Sequence, residues 1–140
     1  MRRILIAWGF APVVAVATAL LIPAPPASAQ QGTWRSSSHQ GGDRAFIDTS
    51  SIRRDGAKVR FLRELRFARP QGVGGGFDRL LSLIEVDCEA RTIQTLERTL
   101  RLGEVLVASG AANEEPQSVR RRTTADVDLR AVCFDEWPRS

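Results

Sequence analysis

The chain has 140 residues, with 20 Lys+Arg against 16 Asp+Glu, a formal net charge of +4 and an isoelectric point near 10.3. That balance suits a small nucleic-acid binder only if the whole chain persists. Arg2 and Arg3 head an apolar run from Ile4 to Ile22 that ends in Pro23-Ala24-Pro25-Pro26-Ala27-Ser28-Ala29, the order of a secretory leader with a small-x-small exit.

Residues 1–29 are therefore expected to be a signal peptide. The remaining 140 − 29 = 111 residues carry 18 basic and 16 acidic side chains, a net +2. This charge steers weakly toward polyanions, so no nucleic-acid partner is expected. Residues 30–140 suffice for one domain and exclude a nucleotide-binding domain plus a substrate domain. No Cys stands directly after the apolar run, where a lipidation site would lie. The product is expected to be exported, periplasmic or secreted, not lipidated, and without a stable membrane anchor after cleavage. Whether export is by the Sec or the twin-arginine route stays open.

Trp34 to Ser38 reads as a short strand, and Gln40-Gly41-Gly42-Asp43 as a turn. Arg44 to Asp48 reads as a second strand, running into Thr49-Ser50-Ser51, which is turn chemistry. Asp55-Gly56 is a strong hairpin signal. Lys58 to Phe67 is the clearest strand, with Val59, Phe61, Leu65 and Phe67 on one face and Arg60, Glu64 and Arg66 on the other. Arg63 falls on the apolar face and Leu62 on the polar one, an anomaly that a bulge would remove.

Pro70 to Gly76 reads as a flexible hairpin loop. Phe77 to Cys88 is apolar on both faces, which marks a central strand. Arg91 to Leu102 fits a strand through Leu96, Leu100, Leu102 and its threonines, and a helix through Ile93, Leu96 and Leu100; the strand is favoured. Glu104 to Ala108 adds a short strand, and Ala111 to Arg122 has no pattern. Thr123 or Thr124 then caps a helix with Asp126 and Asp128 in its first turn and Ala125, Leu129, Val132 and Cys133 on one face.

Cys88 and Cys133 are the only cysteines. In an oxidising compartment they have one intramolecular pairing, a structural disulfide that would clamp the helix to the central strand. The fold class is α+β: an antiparallel sheet of about six strands, with one C-terminal helix tied to it by that disulfide.

The chemistry on offer is sparse. His39, the only histidine, lies in a Ser-rich, Gly-flanked stretch that reads as a loop. Gly72-Val73-Gly74-Gly75-Gly76 lacks the Lys-Ser/Thr ending of a phosphate loop. Glu85 and Asp87, and the adjacent Glu114 and Glu115, read as solvated carboxylates. No catalytic residue, cofactor site or metal site is expected. The basic residues are more suggestive: after residue 29 there are 17 arginines and one lysine, and arginine forks suit sulfate, phosphate and carboxylate.

Phe46-Ile47-Asp48-Thr49-Ser50-Ser51-Ile52-Arg53, then Leu83-Ile84-Glu85-Val86-Asp87-Cys88, then Ala131-Val132-Cys133 resemble, in order and spacing, the surface-adhesin protein E family from Trp34 to Cys133. The resemblance implies a six-stranded antiparallel sheet with a disulfide-tethered C-terminal helix. It also implies adhesion to host or envelope molecules, and a homodimer is compatible with it. The chain departs from the family pattern in lacking a lipidation Cys, in having Phe46 where Tyr is common, and in carrying Arg120-Arg121-Arg122 without a nearby Trp.

The expected function is a non-enzymatic, adhesin-like envelope module for a protein or anionic glycan. The alternative is a soluble periplasmic domain of housekeeping or stress role that shares the fold without adhesion. The candidate partner surface is Arg60 and Arg66, with Arg63 joining only if a bulge turns it outward. Asp48, Ser51 and Ile52 read as a structural turn, the Asp48 carboxylate accepting backbone N–H bonds two or three residues on and aiming Ile52 at the core.

Overall fold

The computed structural model describes residues 33–139. The expected leader lies outside the described residues. Six strands follow one another as an antiparallel meander: β1 (Trp34–Gln40), β2 (Asp43–Asp55), β3 (Lys58–Gln71), β4 (Phe77–Asp87), β5 (Thr92–Leu102) and β6 (Val105–Ala111). A two-residue strand, β7 (Gln117–Ser118), pairs with β5 beyond the end of β6, and the helix α1 (Thr124–Phe134) closes the fold. Short hairpins between sequence neighbours explain the simple order. The β2–β3 turn, for example, places Gly56 at φ 58°, a conformation that costs glycine little.

One face of the sheet holds the core. Ile47, Val59, Phe61, Ile84 and Val86 pack there against Val132 of α1, with Ile52, Ile93, Cys88, Cys133 and Trp137 at the margin. Thr123 caps α1, its Oγ1 accepting from the Asp126 N–H at 3.2 Å, and Asp135 ends it in a left-handed conformation. The Cys88–Cys133 disulfide joins the residue after β4 to the last turn of α1, with 5.8 Å between Cα atoms. Beside it, the Arg54 guanidinium donates to the Val132 carbonyl, so the β2–β3 hairpin also grips the helix end.

Two elements differ from their sequence reading, and a third keeps the favoured one. Thr49–Ser51 is no turn but part of a continuous β2. Between the pairs Asp48↔Leu62 and Arg53↔Arg60, β2 advances five residues and β3 two, so the extra residues form a bulge that keeps both ends in register. The favoured strand reading of Arg91 to Leu102 holds as β5, which carries one extra residue, Leu96, where the register shifts opposite Leu83/Ile84 of β4. Finally, β4 is central but covered on one side only. An 11-residue helix is about 16 Å long and shields one face, which leaves Leu81 and Leu83 half-buried on the other.

The helix face also differs. Besides Leu129, Ala131 and Val132, it buries Asp126 and Asp128. Each is taken up by an arginine, Asp126 by Arg91 and Asp128 by Arg63. The macrodipole alone would have left both carboxylates in solvent.

Candidate partner-binding face

Strand alternation sends every second residue of β3 away from the helix: Lys58, Arg60, Leu62, Glu64 and Arg66. Their register partners on β4 are Asp87, Glu85, Leu83, Leu81 and Arg79. The result is a sheet face, uncovered among the described residues, with a half-buried leucine strip, Leu62, Leu81 and Leu83, between two arginine–glutamate clusters.

At one end, Glu85 receives Lys58 Nζ at 3.0 Å on one oxygen and Arg60 Nε at 2.7 Å on the other. The Glu85 side chain is 9% exposed while Lys58 and Arg60 are 58% and 61% exposed, so the cations face outward over a sunken carboxylate. The hydrogen bond from Arg60, then that from Lys58, holds the Glu85 carboxyl below the usual carboxylate range. A carboxyl with a depressed folded-state value stabilises the fold above its unfolded value and loses that contribution as pH falls through the folded one. Glu85→Gln should therefore destabilise the domain near neutral pH, and its gap to wild type should narrow as pH falls below the ordinary carboxylate range, as read by urea denaturation across an acid pH series.

At the other end, Glu64 takes the Arg66 fork, Nε at 2.8 Å and the second nitrogen at 3.2 Å. The guanidinium also lies 4.6 Å over the Phe46 ring. Both contacts fix its plane, and the Glu64 hydrogen bond raises its already high affinity for the proton. Such a held fork presents its free N–H groups to a carboxylate or sulfate with little ordering cost. A cleft of about 180 Å³ beside the first cluster is lined by Arg53, Arg54, Asp55, Lys58, Arg60 and Glu85.

Arg63 is not on this face. The β3–β4 register runs unbroken from Lys58↔Asp87 to Arg66↔Arg79, so no bulge turns Arg63 outward. It points toward α1, where its Nε lies 2.8 Å from Asp128 Oδ2, with side-chain exposures of 17% and 2%. The signal for this pairing was in the sequence: a charge on the apolar face of β3, and Asp128 one residue from Leu129 on the helix.

The Asp48 element is a brace within the sheet. Asp48 Oδ1 accepts from the Ser50 N–H at 2.9 Å and from its hydroxyl at 2.5 Å. The Ser51 hydroxyl donates to the Asp48 carbonyl at 2.6 Å and accepts from the Leu62 N–H at 2.8 Å. These bonds satisfy the polar backbone at the β2 bulge, and Ile52 packs against the core.

The remaining candidates are dispersed. His39 is exposed on β1, opposite Arg44. Asp87 accepts from the N–H groups of Glu89 and Ala90 in the β4–β5 turn, and Glu114 pairs with Arg98. The Gly-rich segment is the β3–β4 hairpin loop, with Gly75 N–H bonded to the Gly72 carbonyl. No helix among the described residues is long and apolar enough to cross a membrane.

The role of Lys58 and Glu85 in the Arg60 cluster escaped sequence reasoning, because it depends on which β4 residue stands opposite each β3 residue. The family model for surface-adhesin protein E matches residues 34–134. No curated protein and no solved structure matches the chain.

Proposed function

We propose that this chain, which belongs to the surface-adhesin protein E family, is an exported, non-enzymatic envelope protein that binds an external protein or anionic glycan through the open face of its sheet. The observation that carries this reading is the division of labour between the two faces. Core, helix, disulfide and the buried Arg63–Asp128 pair occupy one side. The other presents Arg60 and Arg66 around a leucine strip that none of the described residues covers. Half-exposed leucines ringed by oriented arginines have the composition of a protein contact surface, in which arginine is enriched and apolar groups lie at the centre.

Fractionation of cells making the full chain separates this reading from the periplasmic alternative. Exposure at the cell surface or release to the medium supports adhesion. Confinement to the periplasm would leave a domain that shares the fold without the role.

A homodimer is part of the same reading, and β6 is its most suitable seam. Among the described residues it pairs with β5 alone; it carries no charge and leaves Val105, Leu106 and Val107 exposed by 66%, 55% and 48%. A long uncharged edge is self-complementary in an antiparallel sense. Light scattering should find a dimer for the wild type and a monomer for Leu106→Lys, whereas a monomeric wild type at high concentration contradicts the seam.

A further inference from the structure

Four arginines stand directly opposite one another on four adjacent strands. Arg44 of β2 pairs in register with Arg66 of β3, Arg66 with Arg79 of β4, and Arg79 with Arg101 of β5. All four belong to the open face, and at strand spacing the row extends about 14 Å across the sheet. Like charges set directly opposite destabilise a sheet, so the row is a cost that packing does not explain.

Its compensation is partial. Glu64 takes Arg66, and Glu104, whose side chain is 86% exposed, takes Arg79 at 3.2 Å. Arg101 donates only to the Glu104 backbone carbonyl, and Arg44 has no ion-pair partner among the described residues.

From this geometry we propose that the Arg44–Arg66–Arg79–Arg101 row binds a linear sulfated polysaccharide lying across the strands. The proposal rests on the open face being the contact face and names its ligand class. A regularly sulfated chain meets several guanidiniums at once, each fork matching a sulfate, and successive contacts gain from effective concentration. The overall charge of the domain steers weakly, so the affinity resides in the local row. Nucleic acid fits less well: base stacking needs an outward aromatic platform, and Phe46, beside the row, lies under the Arg66 guanidinium.

The test is heparin binding by the purified domain, measured by calorimetry at several salt concentrations. The key variant is Arg44→Gln/Arg101→Gln, which breaks no carboxylate pair and should keep the wild-type melting temperature. Arg120→Gln/Arg121→Gln changes the net charge equally at a distance from the row. The row variant should lose at least about tenfold in affinity, and its log–log salt slope should fall by about two, one per lost ionic contact, while the control stays near wild type.

Equal losses in both variants, or none in the row variant, would overturn the proposal. So would tighter binding to a DNA duplex or to phosphatidylglycerol vesicles at the same ionic strength. Absence of heparin binding alongside Arg60- and Arg66-dependent capture of a protein partner would remove the polysaccharide and leave the open-face reading standing. Absence of both would remove that reading too.

Discussion

Replacing Cys88 and Cys133 together by alanine is expected to lower the stability of the domain by about 4 kcal/mol and its melting temperature by roughly 15–30 °C. The bridge closes a separation of 45 residues, spanning β5, β6, β7 and most of α1. In the reduced unfolded chain that whole segment is free, and the entropy of closing it falls on the folding reaction. A domain of this size has a total stability of about 5–15 kcal/mol, so the loss takes a large share. Local anchoring sharpens the expectation. The last turn of α1 is otherwise held to the sheet by Val132 packing and the Arg54 contact to its carbonyl. Calorimetry with and without reductant checks the value. A shift of only a few degrees would mean that packing alone holds the helix.

The second large effect lies at the Arg63–Asp128 pair. Burial pushes the Asp128 carboxyl above its usual range, and the Arg63 guanidinium opposes that push. Arg63→Met leaves a carboxylate in a site where its side chain is 2% exposed, and an unpaired buried charge costs about 3–5 kcal/mol near neutral pH. The sign of the pH dependence follows. A carboxyl raised in the folded state favours folding when protonated, and that contribution is lost as pH rises from its ordinary value through its raised one. The Arg63→Met penalty should accordingly shrink on acidification, opposite to the base-line trend set by Glu85 and Asp126, whose carboxyls are held low by their hydrogen-bond partners.

Arg63→Met/Asp128→Leu should recover most of the loss, because removing both charges also removes the cost of desolvating them. Urea denaturation of the four members of that cycle measures the coupling. A single variant within about 0.5 kcal/mol of wild type would show that the pair does not hold α1 to the sheet.

The fold was legible where alternation was clean. Val59 and Phe61 announced the buried face of β3, Asp55-Gly56 its hairpin, and Thr123 with Leu129 and Val132 the helix. Three things were less legible because they depend on contacts between strands. The Thr49–Ser51 composition is that of a turn, and only pairing of both flanks with β3 turns it into a bulge. Leu81 and Leu83 read as core until the single helix is seen to cover one side. Arg63 read as an outward candidate conditional on a bulge, and the unbroken register sends it to Asp128 instead. For the open face, period-two counting found Arg60 and Arg66 within one strand. The opposition of Arg44, Arg66, Arg79 and Arg101 needed the register of four strands, which hairpin loops of unequal length conceal.

The central claim is that the helix side maintains the fold while the open side makes the contact. Binding of the purified domain to immobilised matrix and envelope proteins, compared between wild type and Arg60→Gln/Arg66→Gln, tests it most directly. The variant leaves Glu64 without its ion-pair partner and Glu85 with Lys58 alone, so it should melt below wild type; compared at a temperature where circular dichroism shows both proteins folded, it should lose about tenfold or more in binding. Undiminished binding by the folded variant would contradict the claim.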